Sequence, residues 1–207
     1  MNDFFPEEPK KLKERISRYK RLLKKDYSDG GGKRYLIGPM YQLLGNGEGA
    51  LEYYSWFNKK YDDDSGDPYM RLCWTLALIQ DGQDKAANAM LKYTMLSNIY
   101  LVPLMLGTPI DDYQIRFGSN WEDKEYAEEI PQELLRLWGI AEKDWAKKAY
   151  FARETTAVRE RYILINKKLD NLEVGNERTA LVMESSELKY GRKPDWDSPT
   201  LRLVKES

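Results

Sequence analysis

One pattern occurs twice between positions 34 and 94, and it restricts the folds open to this chain. Each copy has a large apolar residue beside a small one, a glycine turn, and an alanine five positions after the glycine, and the two glycines lie 37 residues apart. This spacing predicts two short antiparallel helices in each copy, with small residues where the backbones cross. The copies read Ile37, Gly38, Tyr41, Gly45, Ala50, Tyr54 and Phe57, and then Trp74, Thr75, Leu78, Gly82, Ala87, Leu91 and Thr94.

At these residues the chain resembles the tetratricopeptide repeat (TPR) family, whose unit is about 34 residues long. A narrower likeness, to uncharacterised bacterial TPR-like proteins, rests on segments 34–37, 44–51 and 98–107. The chain departs from the family at Thr75, where Gly or Ala is usual. The resemblance implies an all-α fold, a right-handed stack of helical hairpins with flanking N- and C-terminal helices, and a role in binding other proteins.

We divide the chain into four parts on this basis. Residues 1–32 form a basic amphipathic helix and a Gly-rich linker, 33–107 the TPR-like repeats, 108–190 the C-terminal helices that pack on the repeats, and 191–207 a tail in which Trp196 can dock on the body or on a partner. Apolar spacing and turn residues predict repeat helices at about 33–44, 48–60, 68–81 and 84–97, a helix over 121–138, one or two over 141–171, and a last one from 176 to about 188.

The resemblance also implies which side chains face a concave groove that takes a peptide or protein partner. These are apolar and amide-bearing, and the Lys and Asn residues of the chaperone-type carboxylate clamp are missing. The alternative is that the flanking helices fill the groove and make it part of the core. The implied partner-binding residues are Tyr35, Pro39, Gln42, Leu43, Leu72, Leu76, Ile79 and Gln80.

A basic amphipathic helix is predicted from Lys10 to Lys25, with nine Lys or Arg residues and one Glu. Such a helix can bind RNA or an anionic membrane surface, because polycations release counterions when they neutralise phosphates. The alternative is that its apolar stripe packs on the first repeat while the basic face is solvated. A second basic stretch, including Arg159, covers 147–168. The candidate nucleic-acid residues of the first helix are Lys10, Lys11, Lys13, Arg15, Arg18, Arg21, Lys24 and Lys25.

The chain has no histidine, which excludes Ser-His-Asp and Cys-His catalysis and the common zinc sites. The acidic run 62–67 does not fit the EF-hand register, and 30–33 does not fit a phosphate loop. Glu125, Glu129 and Glu133 lie at i, i+4 intervals, which fits an acidic outer helix face, a carboxylate metal site or an enzyme that uses carboxylates alone. We expect no catalytic residue, metal or cofactor, and a non-enzymatic protein.

Composition limits the size of the core that we expect and the cellular location of the protein. The 207 residues are enough for one sizeable core, the formal net charge is -1, and the single cysteine, Cys73, excludes an intramolecular disulfide. No apolar stretch approaches the roughly 18 residues of a membrane span, and the N-terminus lacks the pattern of a signal peptide. We therefore expect a cytoplasmic protein with a buried structural thiol, and the sequence leaves its oligomeric state open.

Overall fold

A computed structural model of the chain describes residues 5–191, apart from positions 26, 28, 30 and 116. Within these residues the fold is all-helical, with eleven α-helices, one 3₁₀ turn and no strand. The predicted tail from 192 onward, with Trp196, lies outside the described residues. The helices are α1 (Pro9–Lys25), α2 (Lys33–Leu43), α3 (Gly47–Lys60), α4 (Pro68–Gln80), α5 (Asp84–Ser97), α6 (Leu101–Leu106), α7 (Lys124–Glu128), α8 (Gln132–Arg136), α9 (Ile140–Tyr150), α10 (Arg153–Leu169) and α11 (Asn176–Tyr190).

The two copies of the sequence pattern form two helical hairpins, α2 with α3 and α4 with α5. Each hairpin turns at a glycine in the left-handed region, Gly45 at φ 68° and Gly82 at φ 73°, a conformation that a side chain would disfavour. The Asn46 side chain accepts a hydrogen bond from a backbone N–H at the start of α3, and Asp67 does the same for α4. The predicted boundaries of these four repeat helices are confirmed to within one residue.

The hairpins pack against each other, since α4 contacts both α2 and α3. The ring of Tyr54 on α3 stacks on Trp74 of α4, with centroids 4.8 Å apart and planes 9° from parallel. Within the second hairpin, the hydroxyls of Thr75 and Thr94 lie 3.3 Å apart in the core. The threonine at the position usually held by a small residue therefore joins its two helices by a polar contact.

Helix α1 lies against the first hairpin. Its buried residues, Leu12, Ile16 and Leu23, pack in the same core cluster as the repeats, and α1 contacts α2. The Lys60 ammonium donates to the Leu23 carbonyl at 2.5 Å and so satisfies an acceptor in the last turn of α1. The apolar stripe of α1 therefore packs on the first repeat, as the second interpretation of this helix predicted.

The single helix predicted over 121–138 is wrong. The chain forms a 3₁₀ turn at Asn120–Glu122 and then two five-residue helices, α7 and α8. Pro131 stands at the N-cap of α8, where it has no N–H to continue α7 and holds the preceding residue out of helical geometry. Four apolar residues of the segment are still buried, namely Ala127, Ile130, Leu134 and Trp138. The helical spacing of these residues therefore indicated which positions are buried, but it did not mean that the segment forms one continuous helix.

The C-terminal region forms three helices over the repeats. Helix α9 packs on α4, α5 and α6, while α10 and α11 pack on each other and on α5. The basic face predicted over 147–168 is wrong at Arg159, which is 9% exposed and donates to the Tyr150 carbonyl at 3.0 Å. Its guanidinium also covers the Tyr150 ring, with the central carbon 4.1 Å from the centroid.

Candidate functional site

The main cavity near the predicted groove lies among the first turns of α2 and α4 and the segment 121–134. Its volume is about 540 Å³, which is within the range of small ligand pockets. Two of the predicted groove residues, Tyr35 and Pro39, line it. The other lining residues are Phe5, Asp29, Gly31, Gly32, Arg34, Leu36, Asp67, Tyr69, Met70, Trp121, Tyr126 and Leu134. We call this space the groove cavity.

Several other predicted groove residues belong to the core instead. Leu72 and Leu76 have no exposed surface, and Gln42 is 6% exposed with its amide donating to the Cys73 carbonyl at 3.0 Å. Leu43 and Ile79 are half-buried. The cover comes from the C-terminal region, because α8 packs on α2 and α9 packs on α4. In this part of the predicted groove, the C-terminal helices fill the space and the groove residues belong to the core.

The last predicted groove residue lies at the edge of this cover. Gln80 is exposed, and its amide nitrogen lies 3.5 Å from a carboxylate oxygen of Glu142 on α9. The eight residues are thus divided among the cavity wall, the core and the exposed edge. A partner can reach only part of the predicted surface in this conformation.

The carboxylate of Asp67 is hydrogen-bonded through both of its oxygens at the wall of the groove cavity. It caps α4 by accepting from the Met70 N–H at 3.0 Å, and the Tyr126 hydroxyl donates to its other oxygen. Burial raises the pKa of Asp67, while these two hydrogen bonds oppose the rise. The Tyr126 ring stacks on Tyr69 at 4.3 Å between centroids, so both rings are fixed. This wall of the groove cavity is aromatic, and its Asp67 carboxylate is already hydrogen-bonded within the fold.

The opposite wall is organised by an ion pair. Arg34 Nε lies 2.7 Å from Asp64, and the Tyr35 hydroxyl donates to the same carboxylate at 2.9 Å. Trp121 meets the Tyr35 ring edge to face, with centroids 5.6 Å apart. Asp29 accepts from backbone N–H groups at the start of α2, including that of Arg34 at 2.7 Å. Burial opposes ionisation of Asp29, and the backbone hydrogen bonds outweigh it and lower its pKa.

Sequence reasoning did not single out Asp67, Trp121 or Tyr126 as groove-cavity residues. The Asp67 signal was present, because an Asp directly before Pro68 is typical of a helix start. Tyr126 and Trp121 are each more than 50 positions away in the chain from the residues that they contact, Tyr69 and Tyr35. No local spacing links such distant residues, so only the fold reveals their neighbours.

The predicted catalytic alternatives gain no support from the described residues. Glu125 and Glu129 are exposed, Glu133 is half-buried, and no group of three or more His, Cys, Asp or Glu residues in the described part is placed to hold a metal ion. Cys73 is fully buried, and burial raises the pKa of its thiol well above the ordinary value. No helix of the described residues has the length and apolarity needed to cross a bilayer.

The basic face of α1 is open to solvent. All the candidate residues from Lys10 to Lys25 are exposed apart from the half-buried Arg15. A cavity of about 310 Å³ lies where this face meets α3, and its walls include Lys20, Lys24 and the half-buried Trp56. Cationic and aromatic side chains therefore occur together at this edge.

Comparison with known proteins returned no matching family model, no similar curated protein and no similar solved structure.

Proposed function

We propose that this protein is a non-enzymatic, TPR-like interaction module of the cytoplasm, an adaptor or assembly factor that binds a protein or peptide partner. The observation that carries the proposal is the pair of packed helical hairpins with an aromatic-walled cavity at the end of their predicted groove. Helical hairpins that stack in this way commonly bind peptides along the helices that face the groove. The resemblance to TPR proteins supports the same role.

The groove cavity has the chemistry of a site for one or two partner side chains. Tyr35, Pro39 and Trp121 supply aromatic and apolar walls, and such residues are enriched where binding energy concentrates in interfaces. The polar groups at the walls, Asp67 and Arg34, already have partners in the fold. We therefore expect a partner that inserts an apolar or aromatic side chain rather than a charged one.

Peptide selection tests this proposal directly. A random peptide library is selected on the purified protein, and the dissociation constants of enriched peptides are measured by calorimetry. Trp121→Ala removes part of the cavity wall and is expected to weaken binding by about tenfold or more. Trp145→Ala is the matched control, because Trp145 is also half-buried but lies on α9 outside the cavity.

The selection has a clear negative outcome. If no peptide is enriched, or if both tryptophan variants weaken binding equally while circular dichroism shows an intact fold, the groove cavity is not the binding site.

A second candidate function, nucleic-acid or ribonucleoprotein binding, is favoured by the exposed basic face of α1 and by Trp56 beside Lys20 and Lys24. Bases stack on aromatic side chains, and clustered cations neutralise phosphates. Fluorescence anisotropy with single-stranded RNA is expected to show affinity that falls steeply between about 50 and 200 mM salt. A flat salt response, or no binding at the lower salt, would refute this function.

Two charge-reversal variants decide which basic stretch is used. Lys20→Glu combined with Lys24→Glu removes cations beside Trp56, and Lys147→Glu combined with Lys148→Glu changes charge equally on α9. Loss with the first pair alone assigns binding to α1. Loss with the second pair alone moves it to the C-terminal stretch.

A further inference from the structure

Two nitrogen atoms of the buried Arg71 guanidinium, Nη1 and Nη2, have no hydrogen-bond partner among the described residues. Arg71 lies on α4 and is 2% exposed, and neither Nη1 nor Nη2 is hydrogen-bonded among the described residues. A buried charge without a partner is strongly unfavourable unless an anion compensates it. An anionic ligand bound beside Arg71 would compensate this charge.

The remaining surfaces of this side chain are covered by the fold. The Tyr93 ring lies under the guanidinium, with the central carbon 3.6 Å from the ring centroid. Gly66 packs beside Nε, since a Cβ added at Gly66 would lie 3.5 Å from that atom. The Tyr93 hydroxyl is directed to the Ser65 carbonyl, 3.5 Å away. The guanidinium is thus held against the Tyr93 ring, and its Nη1 and Nη2 atoms have no hydrogen-bond acceptor among the described residues.

Arg71 lines a second cavity, of about 420 Å³, between α3, α4, α5, α10 and α11. This volume suits a small organic molecule. We call it the Arg71 cavity, and it shares only Met70 with the groove cavity. Its walls are largely apolar and aromatic and include Phe57, Met70, Trp74, Met90, Leu96 and Leu188.

The other cations of the Arg71 cavity are already paired. Lys189 forms an ion pair with Glu122, and Lys92 lies 3.9 Å from a carboxylate oxygen of Glu154. Arg71 is therefore the lining cation that forms no ion pair within the described part of the chain.

Two acids also line the cavity. Asp64 is engaged by the Arg34 side chain, and Glu187 is exposed. Their negative charges disfavour a doubly charged phosphate more than a singly charged carboxylate. The charge balance therefore favours a ligand with one carboxylate.

We propose that the Arg71 cavity binds a small organic acid, with one carboxylate received by Nη1 and Nη2 of Arg71 and an aromatic or aliphatic body in the apolar part of the cavity. The planar fork of an arginine matches the two oxygens of a carboxylate. The apolar walls contribute affinity in proportion to the area that the body buries. This site is independent of the groove cavity and does not rest on the proposed partner.

Binding of simple acids to the full-length protein tests the proposal. Phenylacetate and hexanoate are titrated by calorimetry, with phenylacetamide and inorganic phosphate as comparisons. Both acids are expected to bind and to raise the melting temperature. The amide is expected to bind at least about tenfold more weakly, because it lacks the charge that pairs with Arg71.

Three variants make the result specific. Arg71→Met is expected to lose acid binding, and Arg153→Met, the same change at an exposed site on α10, is expected to keep it. Ala89→Phe places a ring into the cavity while leaving Arg71 intact, and it is expected to lose binding too. If Arg71→Met does not fold, Ala89→Phe decides the question.

Two results would overturn the proposal. One is that neither acid binds, or that binding is unchanged in the folded variants of Arg71 and Ala89. The other is that binding occurs only after Asp195 and Asp197 are replaced by Asn, which would assign the site to carboxylates of the chain itself.

Discussion

The ring of Tyr54 lies against the backbone of Gly38, so closely that a Cβ atom at position 38 would come within 2.1 Å of Tyr54 Cε1. The same ring stacks on Trp74, which belongs to the other hairpin. One aromatic side chain of α3 thus contacts both α2 and α4. The absence of a side chain at Gly38 is therefore a requirement of how the two hairpins pack.

We predict that Gly38→Ala destabilises the protein by about 1–3 kcal/mol, because the added methyl group displaces the Tyr54 ring from its stack. Alanine gains roughly 1 kcal/mol over glycine from helix propensity, so the loss occurs against the local preference. Urea unfolding measures the change. The control is Gly47→Ala at the start of α3, where an added Cβ meets no atom within 4 Å. Equal stability of the two variants would contradict the prediction.

Asp67→Ala is predicted to cost about 1–2 kcal/mol of stability, because it removes the N-cap of α4 and the acceptor of the Tyr126 hydroxyl. Gln83→Ala provides the comparison, since Gln83 holds the same position before α5 but makes no side-chain cap bond. Its effect should stay within about 0.5 kcal/mol. Thermal unfolding of both variants gives the difference, and a loss at Gln83 as large as at Asp67 would refute the capping account.

Cys73 is predicted to be inert in the folded protein. Because this is the single cysteine of the chain, alkylation by iodoacetamide reports on it alone. At pH 8 the native thiol should react more slowly than the urea-unfolded chain by roughly 1,000-fold, since reaction requires opening of the core. Rapid labelling without denaturant would show that the thiol is accessible.

The raised pKa of Cys73 also predicts the direction of a pH effect on stability. The folded-state pKa lies above the unfolded value of about 8.5, so the thiol's contribution is complete below that pH and declines as the pH rises above it. Urea unfolding at pH 8 and at higher pH measures the decline. Cys73→Ala should reduce the decline, and an unchanged pH dependence in this variant would contradict the assignment.

The two buried arginines are predicted to respond in opposite ways to replacement by methionine. Arg71→Met, measured without ligand, removes an unpaired buried charge and should be neutral or stabilising by about 1–4 kcal/mol. Arg159→Met removes a charge that donates to the Tyr150 carbonyl and should cost about 1.5–3 kcal/mol. Chemical unfolding of both variants measures the contrast. Destabilisation of similar size at both positions would show that Arg71 is satisfied in the fold.

The hairpins could be predicted because their signals are local. Gly45 and Gly82 end helices through their own backbone freedom, and Asn46 caps a helix through an N–H three residues away. Apolar spacing over a few turns then gave the remaining helix ends. Segment 121–138 does not form one helix, because Pro131 interrupts it despite the regular spacing of its apolar residues.

The candidate site was only partly predictable. Tyr35 and Pro39, two of the predicted groove residues, line the groove cavity. Leu72 and Leu76 have the same repeat positions in the second hairpin, yet no part of either is exposed. The later helices α8 and α9 pack on α2 and α4, respectively. Nothing in the spacing of the repeats indicates where those later helices pack.

The amino-acid sequence by itself determined most of the helices and the turns between them, because helix formation and capping depend on residues within about four positions of one another. Only the tertiary structure decided which helix faces remain open, which groove residues join the core, and that Arg71 is enclosed without an acceptor. Burial depends on contacts between segments that are far apart in the chain. For that reason, the same arginine that looks like an ordinary charged residue in the sequence becomes a candidate anion site in the fold.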